Sequence, residues 1–312
     1  MRPSDSETAA GALSIRQLHD RIYQGEIVRF RPFGGMERIV ALTRQFLEGR
    51  FGPWPVPEIH RHLAPGELGE RVEAAQRDYS RSEEVKRAWR DMFEAVGFDP
   101  EAVARDRLML RFQLHRDPGA PAPSGRGTAT VGFHRDTWGT NLYAQVNWWA
   151  PVYPITAGRT FAFYPELWDR PIANSSADFD MAEAMRLVRE KAPTRPGQIV
   201  PRPLETFDHE SSRPVVIDCG EIIAFSSQHA HAGVPNHSGL TRISLETRTL
   251  LIEDHLEGRG APNVDGWAHW TSPGLFRRLS DGTPLADLLG IERLVPFDGP
   301  WPPDAGAEAP AP

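Results

Sequence analysis

Between residues 106 and 252 the sequence consists of short apolar or alternating runs separated by Gly, Pro and Asn. This pattern restricts the fold more than any other feature of the chain. The runs are DRLMLRFQLH (106–115), TATVGFH (128–134), TNLYAQVNWWAPV (140–152), GRTFAFYP (158–165), GQIVPRP (197–203), RPVVID (213–218), GEIIAFSSQHAH (220–231) and LTRISLETRTLLI (240–252). Short strands at such close spacing are typical of a β-sandwich or β-barrel. We therefore predict a jelly-roll-sized β-core, interrupted by one helical insertion at 180–192.

Helical patterns precede these strands. Residues 34–50 carry apolar residues at helical spacing, and residues 68–97 form a Pro-free pattern rich in Glu, Arg and Ala that ends at a Gly. The segment SRSEE at 80–84 has the character of a helix N-cap and predicts a break near Ser80–Ser82.

These patterns predict a mostly β protein with flanking helices (α+β). The predicted order is a flexible N-terminus at 1–10, a single domain at 11–300 and a disordered Pro/Ala-rich tail at 301–312. Within the domain we expect helices at 34–100, the β-core at about 105–252 and a C-terminal extension at 253–300.

Composition excludes several classes of protein. The net charge of −7 is spread along the chain, whereas a nucleic-acid-binding surface is basic and clustered. No apolar run reaches the ~18 residues of a membrane span, and residues 1–11 lack the apolar region of a signal peptide. Cys219 is the only cysteine, so the chain has no internal disulfide and we predict a reducing, cytoplasmic location. Oligomeric state is not predicted.

The segment VGFHRDTWG (131–139) places His134 and Asp136 two residues apart. In an extended strand, side chains i and i+2 share a face, so the imidazole and the carboxylate are expected to project together. They are two of the three ligands of the 2-His-1-carboxylate facial triad, which leaves coordination positions open for Fe(II) oxygen chemistry. The pair alone is as typical of a solvated strand face, and a metal site requires a third ligand.

The candidates for that ligand are His229, His231 and His237, which lie in SSQHAHAGVPNHSG (226–239). On the strand that follows, Arg242 and Ser244 share a face by the same i, i+2 rule. Arginine offers a planar fork to a carboxylate, a charge-assisted contact worth roughly 1.5–3 kcal/mol. A dicarboxylate bound there by one end would chelate a metal with the other. The alternative is a surface arginine at a strand edge.

The arrangement His134-x-Asp136, then His231-Ala-Gly-Val-Pro235-Asn236, then Arg242-x-Ser244 resembles the Fe(II)/2-oxoglutarate dioxygenases, and among them the phytanoyl-CoA dioxygenase-like branch. In that branch a small-residue turn ending in Pro-Asn follows the distal His. The arginine that binds 2-oxoglutarate lies eleven residues beyond that His, as Arg242 lies beyond His231. The resemblance therefore selects His231 over His229 and His237. The segment FYPELW (163–168) departs from the family pattern, which has Gly-Ser-His in this region.

The resemblance implies a double-stranded β-helix (a cupin-like jelly roll) with Fe(II) held by His134, Asp136 and His231. It implies 2-oxoglutarate bound by Arg242 and Ser244, with Asn147 as a further contact, and O₂ as the oxidant. The cosubstrate would yield succinate and CO₂ while a small-molecule metabolite or natural-product intermediate is oxidised. Hydroxylation is the default outcome, and desaturation, cyclisation and epimerisation use the same metal ligands. Because Asp136 is a carboxylate, no coordination position is freed for halide.

Substrate contacts are predicted with open alternatives. Arg111 and Gln113 alternate with apolar residues on their strand and would line the mouth of the site or face solvent, and similar enzymes of the branch place a Gln of this strand near the metal. Trp138 would wall the pocket or simply pack. Arg248 would meet an anionic substrate or pair with Glu246.

Two other classes remain open at this point. A cupin-like metal enzyme that does not use 2-oxoglutarate would keep the fold and the metal, and Arg242 distinguishes it. A jelly-roll binding module with Ca²⁺ would need several carboxylate and carbonyl oxygens rather than two imidazoles. The sequence does not identify the substrate.

Overall fold

A computed structural model describes residues 5–119, 130–206, 208, 210–297 and 299–302. The α-helices are α1 (Ile15–Tyr23), α2 (Gly34–Phe51), α3 (Pro65–Arg81), α4 (Glu83–Val96), α5 (Thr137–Thr140), α6 (Met181–Glu190), α7 (Ile252–Leu256) and α8 (Leu285–Leu289). The strands are β1 (Asp5–Thr8), β2 (Ile27–Phe30), β3 (Val103–Arg105), β4 (Met109–Gln113), β5 (Gln145–Pro151), β6 (Phe161–Phe163), β7 (Arg213–Pro214), β8 (Ile222–Ser226), β9 (His231–Gly233), β10 (Arg242–Leu251), β11 (Trp270–Thr271), β12 (Arg277–Arg278) and β13 (Val295–Pro296). Short 3₁₀ helices span Val56–Arg61, Pro165–Leu167 and Pro273–Leu275.

Two sheets form the β-core. The larger has the order β1-β2-β8-β5-β10-β3-β12, and β4 also pairs with β10. The smaller has the order β7-β6-β9. Aromatic and aliphatic side chains of both sheets share one buried cluster, which includes Trp149 and Phe225 from the larger sheet and Phe161 and Phe163 from the smaller. The two sheets therefore pack face to face over a hydrophobic layer.

Helices α1 to α4 cover the other face of the larger sheet. Trp148 of β5 marks this layer, because its ring contacts Phe30 of β2, Phe93 of α4 and Phe98 at centroid distances of 5.7, 5.2 and 5.8 Å. Strand β5 is buried at every position. A strand covered on both faces reads as a continuous apolar run, which explains why QVNWWAP hardly alternates.

The predicted helices form close to their predicted bounds. Ser82 ends α3 and begins α4, and its hydroxyl accepts a hydrogen bond from the Val85 amide at 3.3 Å. The predicted break near Ser80–Ser82 is thus confirmed. Helix α4 ends at Gly97, whose φ of 114° is open to glycine and strained for other residues. No described helix is both long enough and apolar enough to cross a bilayer.

The N-terminal region differs from the prediction. Residues 5–8 form β1, where the sequence predicted a flexible segment, and β1 pairs in parallel with β2. Strand β2 in turn pairs with β8, so strands that the sequence did not predict extend the larger sheet. Each has only four residues, too few to show a period. Residues 1–4 of the predicted flexible segment lie outside the described residues.

Two predicted core strands do not form in the described part of the chain, and residues 128 and 129 of the first lie outside it. Residues 130–133 are irregular and His134 makes an isolated bridge, while residues 197–202 are irregular and Pro203 makes an isolated bridge with Asn174. The C-terminal extension joins the core, since β12 pairs with β3. In the predicted tail, the ring of Trp301 stacks on that of Trp267 at 5.9 Å, and residues 303–312 lie outside the described part of the chain.

Candidate metal centre

The structure brings together the three predicted metal ligands. His134 and His231 are bridged by two backbone hydrogen bonds of 3.0 Å, and their ring centroids lie 4.3 Å apart. His134 Nε2 lies 3.3 Å from Asp136 Oδ1. Ligand atoms of the three residues all lie within 4.8 Å of one another, the one such group of His, Cys, Asp or Glu found among the described residues.

The local backbone of His134 and Asp136 is not the extended strand that the sequence predicted. Asp136 has helical dihedral angles, φ −64° and ψ −33°, and it caps the one-turn helix α5. Its amide donates to the Ser227 carbonyl at 3.1 Å, which ties the start of α5 to the segment before His231. The side chains of His134 and Asp136 converge because His134, which pairs with His231, is followed directly by the helical turn that Asp136 begins. The two side chains therefore lie close together as predicted, but not because they share the face of a strand.

Both imidazoles are oriented through Nδ1. His134 Nδ1 lies 2.9 Å from the Gly132 carbonyl, and His231 Nδ1 lies 2.9 Å from the His229 carbonyl. A carbonyl only accepts, so each Nδ1 is the donor, and Nε2 is the atom left to bind a metal when the ring is neutral. Burial, followed by the neighbouring His134, lowers the pKa of His231 to about 4. His231 is therefore neutral at pH 7, the form that binds a metal.

Asp136 is held by its Oδ2 atom. Asn147 Nδ2 donates to this oxygen at 2.7 Å, Gln145 Nε2 lies at 3.4 Å and Arg248 Nε at 3.5 Å. Burial alone would raise the pKa of Asp136, but the neighbouring Arg248 cation outweighs it, and the pKa lies well below its ordinary value. Oδ1 is thereby left facing the imidazoles as a single-oxygen ligand.

Arg248 belongs to a charged network in the cavity wall. Its Nη1 lies 3.1 Å from Asp106 Oδ2 and its Nη2 lies 3.3 Å from Glu246 Oε1. Glu246 also pairs with Arg111, whose Nε lies 2.9 Å from Oε2. Of the two alternatives predicted for Arg248, the structure supports the ion pair with Glu246. It also shows an ion pair with Asp136. The sequence analysis did not select Glu246 or Asp106 as site residues. Glu246 could have been found, because it follows Arg242 and Ser244 at the same i, i+2 spacing.

Arg242, which is half-buried, and Ser244, which is buried, carry buried polar atoms that have no hydrogen-bond partner in the described part of the chain. Arg242 Nε and Nη1 and Ser244 Oγ have no hydrogen-bond partner among the described residues. Arg242 lines the same cavity as His134, Asp136 and His231. Burial, with Arg111 adding to it, lowers the pKa of Arg242 to about 10, so the side chain remains cationic at pH 7. Buried N–H groups without an acceptor are costly, and an anionic ligand in this cavity would supply one.

The remaining predicted site residues have other contacts. Asn147 lines the cavity, but its amide donates to Asp136 and accepts from Gln145 Nε2 at 2.8 Å, so the structure gives it a role at the metal ligand rather than at a cosubstrate. Gln113 is buried and its Nε2 donates to Thr130 Oγ1 at 2.8 Å and to the Val234 carbonyl at 2.7 Å.

The structure favours packing over a pocket wall for Trp138, of the two alternatives that the sequence left open. Its side chain is fully buried, and its Nε1 donates to Asp265 Oδ1 at 2.7 Å. The ring packs against Phe133, at a centroid distance of 6.0 Å. The packing alternative therefore holds for Trp138. The apolar part of the cavity wall comes instead from Trp149, Phe161 and Phe225.

Comparison with known proteins gives matches among solved structures only. No family model matches the sequence, and no curated protein matches it. EvdO2 from Micromonospora carbonacea var. aurantiaca is 13% identical, with 79% of this chain and 94% of that chain covered and a TM-score of 0.42. The same protein complexed with 2-oxoglutarate is 12% identical over 78% of this chain and 92% of that chain, also with a TM-score of 0.42. SnoK, a non-heme alpha ketoglutarate dependent carbocyclase from nogalamycin biosynthesis, is 14% identical over 87% and 98%, with a TM-score of 0.37.

Proteins of the class that the sequence motifs resemble are therefore among the solved structures similar to this chain.

Proposed function

We propose that this chain is a non-haem Fe(II)/2-oxoglutarate-dependent oxygenase of the phytanoyl-CoA dioxygenase-like branch, which oxidises a small-molecule metabolite or natural-product intermediate. The observation that carries the proposal is the presence of two complementary features in one cavity. Three converging ligand atoms come from His134, Asp136 and His231, and Arg242, whose Nε and Nη1 have no hydrogen-bond partner among the described residues, lines the same space. A chelating dicarboxylate satisfies both.

The donor set fits Fe(II). Two imidazoles and one carboxylate are the facial triad typical of non-haem Fe(II) oxygenases. Calcium takes six to eight oxygen ligands, so this set does not favour a Ca²⁺-dependent binding module. A cupin-like enzyme that does not bind 2-oxoglutarate would leave Arg242 Nε and Nη1 and Ser244 Oγ without the carboxylate acceptor proposed here.

Each side chain has a distinct task in the proposed enzyme. His134 Nε2, His231 Nε2 and Asp136 Oδ1 would hold the metal. The side-chain amides of Asn147 and Gln145 donate to Asp136 Oδ2, and Arg248 pairs with it electrostatically, so Oδ1 alone would be left to bind the metal. When bound, Fe(II) with 2-oxoglutarate and O₂ supplies the oxidising chemistry, with succinate and CO₂ as co-products.

The protein orients the reactants around that centre. Arg242 and Ser244 would receive the distal carboxylate of 2-oxoglutarate, and the rings of Trp149, Phe161 and Phe225 limit water in the cavity. We propose hydroxylation as the outcome, within a double-stranded β-helix core and a single domain over residues 11–300. The predicted cytoplasmic location and a small-molecule substrate, without nucleic-acid or membrane partners, belong to the same proposal.

The proposal is tested by anaerobic reconstitution with Fe(II) and measurement of succinate release. We expect 2-oxoglutarate to bind only after the metal, and succinate to accumulate when O₂ and a panel of amino acids and biosynthetic intermediates are supplied. Tight Fe(II) binding without any 2-oxoglutarate binding would support the cupin-like alternative instead.

Asn147→Ala tests the role that the structure gives to this residue. Removing the 2.7 Å hydrogen bond to Asp136 Oδ2 frees the carboxylate to rotate, and loss of such a partner typically costs about 10–100-fold in metal affinity. Calorimetric titration with Mn(II) should show that loss, while 2-oxoglutarate affinity at saturating metal stays unchanged.

Ser244→Ala is the matched control for Asn147→Ala. Ser244 pairs with Arg111 and Pro151 of the neighbouring strands through its backbone, and its hydroxyl contacts no described polar group. This variant should weaken 2-oxoglutarate binding and leave Mn(II) affinity as it is. The reverse pattern, with Asn147→Ala affecting only the cosubstrate, would return Asn147 to the role predicted from the sequence.

A further inference from the structure

Arg135 lies between two metal ligands in the sequence, and its side chain is fully buried. Its Nη1 donates to the carbonyls of Trp168 at 3.2 Å and Gln228 at 2.8 Å. Its Nη2 donates to the carbonyls of Leu167 at 2.5 Å and Arg170 at 2.9 Å. One guanidinium thus joins the His134–Asp136 segment to the turn after β6 and to the segment that leads into His231.

The counter-charge of Arg135 is Asp265, which belongs to the C-terminal extension. Asp265 Oδ2 lies 3.1 Å from Arg135 Nε and accepts from the Ile172 amide at 3.1 Å. Asp265 Oδ1 accepts from Trp138 Nε1 at 2.7 Å. Burial raises the pKa of Asp265, while the Arg135 cation and the N–H groups of Trp138 and Ile172 favour its charged form. Two of its three polar partners, Arg135 and Trp138, flank Asp136.

The loop that carries Asp265 makes further contacts with the same segment. Asn141, the residue after α5, donates through Nδ2 to the carbonyls of Ala268 at 2.5 Å and Trp270 at 3.0 Å. The Ala261 amide donates to the Tyr143 carbonyl at 2.9 Å. At Gly260 a Cβ atom would lie only 2.4 Å from the Tyr143 carbonyl carbon, so the two backbones touch. Residues 260–271 therefore pack along the length of the segment that supplies two ligands.

We propose that Arg135 and Asp265 form a positioning pair through which the C-terminal extension sets the geometry of His134 and Asp136. The inference rests on the proposed metal site and adds to it a requirement for a loop about 130 residues away in sequence. Binding sites must be held to within about 0.5 Å by their supporting residues. Without Asp265, the buried Arg135 guanidinium loses a charge partner, and we expect it to shift. Because His134 and Asp136 are the chain neighbours of Arg135, such a shift would move both ligands.

The chain contains a matched control in Asp254. This carboxylate is also fully buried, and it accepts from Tyr23 Oη at 2.8 Å and from Arg259 Nη1 at 2.6 Å, with Arg16 Nη1 at 3.2 Å. It joins α7 to α1 and to the loop after α7, and it contacts none of the metal ligands. Asp254→Asn and Asp265→Asn therefore remove the same charge from equally buried sites, and only the second touches the ligand segment.

The experiment compares Co(II) binding by the unaltered protein, Asp265→Asn and Asp254→Asn, with thermal unfolding of the apo forms measured alongside. We expect both variants to unfold at lower temperature than the unaltered protein. Only Asp265→Asn should lose about 10–100-fold in Co(II) affinity, the typical cost of losing a residue that supports metal ligands, and show an altered Co(II) absorption spectrum. Asp265→Glu should restore part of the affinity.

The outcomes separate this inference from the proposed function. If the unaltered protein does not bind Co(II), the proposed metal site is wrong and the inference fails with it. If all forms bind Co(II) equally with the same spectrum, the metal site stands and the positioning role is wrong. If Asp265→Asn does not fold, hydrogen exchange of the unaltered protein, measured with and without Co(II), tests the positioning role instead. Coupling is reciprocal, so Co(II) should slow exchange at 260–271 as well as at 134–141. Protection confined to 134–141 would overturn the inference.

Discussion

His231→Ala should abolish succinate release and strongly weaken metal binding. The substitution removes one of three ligands, so the expected fall in Fe(II) affinity exceeds the ~10–100-fold that loss of a ligand's hydrogen-bond partner costs. His134 and Asp136 alone, with their ligand atoms 3.3 Å apart, would keep a weak two-ligand site. Anaerobic titration with Fe(II), followed by succinate release under O₂, measures the effect.

The two other histidines of the same segment are the controls for His231→Ala. His237 is exposed, and its Nδ1 contacts the Arg116 carbonyl, so His237→Ala should leave metal binding intact. His229 packs between Trp168 and Phe163 at centroid distances of 4.6 and 5.3 Å, so His229→Phe preserves its packing and its backbone carbonyl to His231. Loss of metal in His229→Phe, with binding retained in His231→Ala, would mean that the eleven-residue spacing selects the wrong histidine.

The residues alone indicated His134, Asp136 and three candidate histidines, and the resemblance to a family, through its eleven-residue spacing to Arg242, selected His231 among them. These residues lie on short segments that pair with one another in the β-core, so residues far apart in the sequence become neighbours in space. The backbone at Asp136 was not predictable in the same way. A run of β-formers and aromatics is typical of a strand, but hydrogen bonds donated by the Asp136 and Thr137 amides to the Ser227 carbonyl, and the turn of α5, override that local preference.

Residues that act on the ligands from a distance in sequence were missed. Asp265 stands in NVDGW, which reads as an ordinary turn, and its partner Arg135 is far away along the chain. Arg135 itself looked like the variable position of an H-x-D motif. Buried ion pairs of this kind carry no local period, so no pattern in the sequence marks them. Glu246 and Arg248 did follow the face of Arg242, and that alternation was the available signal.

Arg242→Ala should weaken 2-oxoglutarate binding by roughly 10–100-fold, because a charge-assisted hydrogen bond to a carboxylate is worth roughly 1.5–3 kcal/mol and about 1.4 kcal/mol is tenfold in affinity. Metal affinity should not change, since no described contact joins Arg242 to His134, Asp136 or His231. Arg242→Lys keeps the charge but lacks the planar guanidinium, so it should lose less 2-oxoglutarate affinity than Arg242→Ala. Titration of the Mn(II)-loaded protein with 2-oxoglutarate measures each variant.

The matched control for Arg242→Ala is Arg159→Ala. Arg159 is also buried and packs near the same turn, but its guanidinium is satisfied by Ser238 Oγ at 3.1 Å and the Pro154 carbonyl at 2.8 Å. Its loss should lower stability without weakening 2-oxoglutarate binding. Equal effects of the two variants would attribute the result to a disturbed turn rather than to a carboxylate contact. If Arg242→Ala binds 2-oxoglutarate as the unaltered protein does, the dicarboxylate is not held by this arginine, and a metal enzyme without that cosubstrate becomes the better explanation of the His134–Asp136–His231 site.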